Sequence, residues 1–152
     1  MATPSPGRGA LPVRADYRAF YEVPTRWMDN DVYGHVNNVH YYSYFDTAIA
    51  HFLIGEGGLD PHRDRAIGFC VESGCSFHRG TCFPDRITAG LRVTSLGRSS
   101  ARYEIGLFRN DEDEAAASGY FVHVFVDRES EQPTPLPDGI RRALSRIVHD
   151  PA

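Results

Sequence analysis

Two aspartates, a glycine–histidine pair and two adjacent asparagines fall between Asp29 and Asn38, inside the run RWMDNDVYGHVNNVHYYSYFDTA (Arg26 to Ala48). A carboxylate set against a water or an electrophilic carbonyl acts as a base or a nucleophile. Acids ahead of a helix also complement its dipole, a plainer reading of Asp29 and Asp31 that the pattern leaves open. A helix beginning near Asn37–Asn38 aims its free N–H groups back at the preceding turn, where they stabilise negative charge. An acyl carbonyl held there would develop its oxyanion against those groups. Gly34 lets the backbone approach closely. His35 is a candidate base, with a structural role in the turn as the alternative. A carboxylate and a helix N-terminus facing one carbonyl make a workable acyl-transfer site.

The elements that position these residues are legible from periodicity. Tyr17, Ala19, Tyr21, Val23, Thr25 and Trp27 alternate along 17–27, which predicts a strand, with Pro24 at an edge or bulge. In that strand Asp29 and Asp31 would share the face of Trp27. Gly34 and the asparagine pair signal a turn, and Asn is a preferred N-cap. A helix follows over about 39–54, with Val39, Tyr42, Phe45 or Asp46, Ile49 and Phe52 or Leu53 on its apolar stripe. Gly55, Gly57 and Gly58 end it. Tyr41, Tyr42, Tyr44 and Phe45 read as core, and Asp46 as a second site acid or a buried acid with a partner.

Four strand-like runs come next, at about 67–78, 85–96, 100–109 and 117–127. They are joined by RGTCFPD, LGRSS and RNDEDE, which suggests antiparallel neighbours. YFVHVFV (120–126) reads as a central strand buried on both faces. A Pro-rich link leads to a last helix over 139–148, with Asp138 as its cap. One long helix and one mainly antiparallel sheet make a two-layer α+β domain over 16–150. Residues 1–15, rich in Pro, Gly and Ala, read as a disordered tail.

Composition excludes several classes. The chain of 152 residues is 41% hydrophobic and 24% charged, as a globular domain is. A net charge of −4 argues against a nucleic-acid binder. No apolar run reaches membrane-span length, and the N-terminus lacks a signal-peptide pattern, so a cytoplasmic location is the expectation. Cys70, Cys75 and Cys82 have neither disulfide-framework nor zinc spacing and read as free thiols; no metal and no cofactor is expected. His35 and His40 do not share a helix face as a metal pair would.

The segment WMDNDVYGHVNNVHYYSYFDTA resembles the signature W-x-D-x-D-x-x-G-H-V-N-N-x-x-Y-x-x-Y-F-[DE]-x-A of the hotdog-fold acyl-CoA thioesterases of the 4-hydroxybenzoyl-CoA thioesterase type. The similarity extends more weakly over 17–148, and the F-x-x-P-x-x-x-x-D segment is loosely kept. The resemblance implies a five-stranded antiparallel sheet wrapped around a long central helix, in a homodimer or homotetramer with sites at the dimer interface. It implies that Asp31 is the catalytic carboxylate and that a backbone N–H near Asn38 polarises the thioester carbonyl. Asn37 and Tyr41, in the same run, are candidate substrate contacts. LGRSS falls where relatives contact the nucleotide of coenzyme A, so Arg98, Ser99 and Ser100 are candidate phosphate contacts, with a solvated hairpin turn as the alternative.

The expected reaction is hydrolysis of an acyl-CoA, or an acyl-carrier-protein thioester, to a carboxylic acid and free thiol. The HVNN form leans toward a medium or long acyl chain. Two other readings remain. A hotdog dehydratase would carry proline-containing segments around its Gly-His, whereas Val-Asn-Asn follows here. A non-catalytic acyl-thioester binding module would not need the D-x-D pair.

Overall fold

Alternation along β1 (Ala19–Pro24) leaves Phe20, Glu22 and Pro24 exposed while Ala19, Tyr21 and Val23 turn inward. The structure, a computed structural model, describes residues 9–149. After β1 come α1 (Asn38–Gly55), β2 (Ala66–Phe77), β3 (Arg86–Leu96), β4 (Ser100–Arg109), β5 (Ala117–Asp127) and α2 (Asp138–Ser145). The five strands form one antiparallel sheet in the order β1-β3-β4-β5-β2. The long helix α1 packs against it, as the resemblance implies.

Pairing departs from the expected run of neighbours at one place. β2 pairs with β5 and β3 pairs with β1, so the 78–85 link crosses the sheet instead of closing a hairpin. Short connections predict adjacency only when the strands lack better partners. Here the crossover leaves β2 as a 12-residue edge with Phe69, Val71 and Phe77 exposed.

The inner face of the sheet and one stripe of α1 make the core. Tyr41, Tyr44, Phe45, Ala48, Ile49, Phe52 and Leu53 are buried at helical spacing against Ile87, Leu91, Tyr103, Ile105 and Phe125. The stripe is turned by about one position from that read in the sequence. Val39 is exposed, and Tyr41 and Tyr44 are inside. Both tyrosines find buried hydrogen-bond partners, so their hydroxyls do not oppose burial. β5 passes beneath α1 at Gly119, where an added Cβ would lie 2.5 Å from the Phe45 ring. Gly119→Ala is therefore expected to cost about 1–3 kcal/mol by overpacking. Thermal denaturation beside wild type measures the cost.

β5 is not buried on both faces. Phe121, His123 and Phe125 point into the core, and Tyr120, Val122 and Val124 are half-buried outside. His123 is thus a core side chain, ringed by Tyr103, Phe121 and Phe125. α2 ends at Ser145, with Pro137 at its N-cap and no side-chain cap from Asp138. Of the N-terminal segment read as disordered, residues 1–8 lie outside the described residues. From Gly9 the chain crosses the outer face of the sheet. Val13 bridges Glu114, the Arg14 guanidinium donates to the Asn110 and Glu112 carbonyls, and Tyr17 is buried over Gly90 and Gly106.

Candidate active site

The polar run leaves β1 and does not continue as a strand. A single 3-10 turn, Trp27–Asp29, breaks the alternation. Trp27 is consequently 75% exposed, and Asp29 and Asp31 do not share a face. Asp29 is fully buried while Asp31 is partly open.

Asp29 fastens the site to the helix. One carboxylate oxygen accepts from the Tyr44 hydroxyl at 2.7 Å and the Arg26 amide at 3.0 Å; the other accepts from Arg26 Nε at 2.9 Å. Burial pushes this carboxyl up, but hydrogen bonds from Tyr44 and Arg26, together with the Arg26 charge, outweigh burial and hold it below the usual range. Tyr44 is pushed up by burial and by the bond to Asp29. The Asp29 carbonyl accepts from Asn37 N–H at 2.9 Å.

Asp31 organises the next turn. Its Oδ1 accepts from Tyr33 N–H at 2.9 Å, its carbonyl accepts from Gly34 N–H, and its own N–H donates to the His35 carbonyl. Gly34 occupies φ 83°, which a side chain would strain. Closure by the bridge Asn30↔Val36 returns the chain to Asn37, the N-cap of α1. The Asn37 Oδ1 accepts from Val39 N–H at 3.2 Å, and its Nδ2 donates to Asp31 Oδ2 at 3.4 Å. One side chain thus links the partly open carboxylate to the helix start. The Asn38 N–H, in the first turn of α1, has no acceptor within the helix.

Two cavities flank this junction. An open one of about 700 Å³ is lined by Asp31, Asn30, Gly34 and Asn37 together with the apolar Trp27, Met28, Val32 and Tyr33. A second, of about 300 Å³, is lined by His35, Asn38 and Tyr41 with Phe77, His78, Arg79 and Gly80. The structure therefore gathers Asp31, Gly34, His35, Asn37, Asn38 and Tyr41 into one neighbourhood. Arg98, Ser99 and Ser100 are not part of it. They form the β3–β4 turn at the other end of β3, roughly 30 Å away by strand rise. Asp46 is exposed on α1 and lines a different depression with Thr47, His51 and Ile54.

Sequence reasoning missed the brace supplied by the 78–85 crossover. The Thr81 carbonyl accepts from Val36 N–H at 2.8 Å, and the Thr81 hydroxyl shares a 2.8 Å hydrogen bond with Tyr41. Phe83 N–H donates to Asn30 Oδ1 at 3.0 Å, and the Phe83 ring meets Trp27 edge-on. Only the strand order brings these residues together.

No protein of curated function matches the chain. Solved structures do. A protein of Pseudomonas aeruginosa strain PAO1, PA5185, is 48% identical over 91% of this chain and 96% of its own, with a TM-score of 0.90. A second protein of that organism, PA2801, is 29% identical over 82% of this chain and 96% of its own, with a TM-score of 0.76. The DHNA-CoA thioesterase of Staphylococcus aureus is 17% identical over 85% of this chain and 89% of its own, and its TM-score of 0.76 shows a shared hotdog architecture. Residues 23–144, from β1 through α2, match the family described as the Thioesterase-like superfamily. That span contains both aspartates, the turn, the cap and the helix that positions them, and the chain belongs to the Thioesterase-like superfamily.

Proposed function

We propose that the chain hydrolyses acyl-CoA thioesters at the junction of the Asp31 turn and the first turn of α1. One observation carries this reading. The Asp31 carboxylate lies against Asn37, the N-cap of α1, on a cavity walled by four apolar side chains. A carboxylate is held beside a helix N-terminus where an apolar acyl group has room.

In the proposed reaction the thioester carbonyl accepts from the Asn38 N–H, and the helix start stabilises the oxyanion. The Asp31 carboxylate attacks the carbonyl carbon or activates a water for attack; the geometry accommodates both. With water as the nucleophile, Asp31 takes the water proton as the C–O bond forms, and the proton passes to the thiolate as the C–S bond breaks; with Asp31 as the nucleophile, the acyl-Asp31 anhydride left when the C–S bond breaks is hydrolysed by water, which releases the carboxylic acid, restores Asp31 and supplies the thiol proton. Gly34 and Tyr33 shape the turn, and His35 and Tyr41 line the side on which Asn38 lies.

The four-residue apolar wall supports a hydrocarbon acyl group, the signature resembles that of the 4-hydroxybenzoyl-CoA thioesterase type, and the HVNN form supports a medium or long acyl chain. Coenzyme A is the proposed carrier, with an acyl-carrier protein as its competitor. The unpaired β2 edge and its exposed Phe69, Val71 and Phe77 suit continuation of the sheet by a second copy, giving a homodimer or a pair of such dimers. Dimerisation would bring the partner's β3–β4 turn toward the site, where its arginine, equivalent to Arg98, would meet nucleotide phosphate. Three free cysteines fit a reducing cytoplasm.

Product analysis tests the reaction type: acyl-CoA should give free CoA and carboxylic acid one for one. An enoyl product from a 3-hydroxyacyl-CoA would instead make the chain a dehydratase. Arg98→Ala should raise KM for acyl-CoA roughly three- to tenfold and leave KM for an N-acyl cysteamine thioester unchanged. Equal effects on both esters would remove Arg98 from nucleotide binding.

A further inference from the structure

Asp29 lies two residues from the proposed catalytic carboxylate, yet it is fully buried and lines neither cavity. A buried carboxylate is costly unless its oxygens are satisfied. Here they are, by Tyr44 from the second turn of α1 and by the amide and guanidinium of Arg26, just past β1. One side chain thus joins the strand that enters the site to the helix that leaves it. Its carbonyl simultaneously holds Asn37 N–H, fixing the residue whose side chain touches Asp31 and caps α1. The charged and titratable groups facing the Asp29 carboxylate are Arg26 on its own segment and, from α1, Tyr44 and His40, whose Nδ1 is 3.8 Å from Oδ1.

We propose that Asp29 is a positioning residue for the thioester site, holding Asn37, the Asp31 turn and the first amide of α1 in one geometry through its bonds to Arg26 and Tyr44. The inference rests on the thioesterase reading of the same site. A carboxylate that only stabilised the fold would matter equally to every state of the protein. One that registers Asp31 against the helix amide matters to kcat, because small misplacements of reacting groups cost large factors in rate.

The test uses Asp29→Asn and Tyr44→Phe in the full chain, with wild type and Asp31→Asn alongside. Circular dichroism and size-exclusion chromatography check each fold. Asp29→Asn is expected to lower kcat at least tenfold with KM within about twofold. Tyr44→Phe removes one donor with a smaller change in packing, and should lower kcat several-fold with KM held. The two changes together should cost less than the product of the separate losses. If Tyr44→Phe and every folded sample of Asp29→Asn keep kcat within twofold, the positioning role is overturned while the thioesterase reading stands. If wild type releases no thiol from any thioester, both fall.

Discussion

Asp31→Asn is expected to lower kcat for acyl-CoA hydrolysis by about 10²–10⁴-fold, the range typical of a positioned acid–base group, and to leave binding of the ester nearly unchanged. Asn keeps the shape of the turn, since its side-chain oxygen can still accept from Tyr33 N–H as Asp31 Oδ1 does at 2.9 Å. It removes the negative charge that either route needs, whether the carboxylate attacks carbon or takes a proton from water. The loss should therefore appear in kcat, not in KM. Steady-state thiol release, with acyl-CoA affinity from a separate binding titration, separates the two. A variant that binds and turns over as wild type does would move the chemistry to another residue, with His35 on the neighbouring cavity the first to examine.

The second large effect concerns stability and pH. His123 is buried among Tyr103, Phe121 and Phe125, and among the described residues its Nδ1 makes no hydrogen bond. Burial lowers its pKa from 6.5 to about 4. The unfolded chain therefore binds this proton more readily than the folded one. Stability contributed by the neutral ring is fully present above about pH 6.5 and is lost progressively as pH falls toward 4. Taken alone, the shift is worth on the order of 3 kcal/mol across that window. Urea denaturation at pH 7.5 and pH 4.5 should show the loss, and His123→Leu should reduce the difference between the two pH values. An equal difference in the variant would assign the acid sensitivity to other groups.

The sequence and structure agree where local chemistry decides the outcome. The N-cap needs a short polar side chain, and Asn37 accepts from Val39 N–H as a cap does. The strands at 86–96, 100–109 and 117–127 lie where alternation and turn residues put them. The departures all depend on partners far along the chain. Trp27 fits the strand pattern, but Asp29 bonded to Arg26 and Tyr44 turns the backbone before it. The α1 stripe shifts because Thr81 and Asp29 satisfy the hydroxyls of Tyr41 and Tyr44. His123, the one polar side chain in YFVHVFV, sits inside, opposite Cys70 on the β2 edge. Apart from Arg26, none of these partners lies within reach of a local window. Among the candidate site residues, Asp31, Gly34, His35, Asn37, Asn38 and Tyr41 were close in sequence and remain close in space. Arg98, Ser99 and Ser100 lie at the far end of β3, which is why their proposed role depends on a second copy.

The most direct test is thiol release from a panel of aromatic acyl-CoAs and straight-chain esters of about C2 to C18, at turnover in the ordinary enzyme range. Wild type and Asp31→Asn are measured side by side. The account predicts that wild type releases thiol from one class of ester, with a hydrocarbon acyl chain preferred, and that Asp31→Asn does not. Tight binding of acyl-CoAs by wild type with no thiol released from any of them would contradict it, and would make the chain a binding module built on a thioesterase fold.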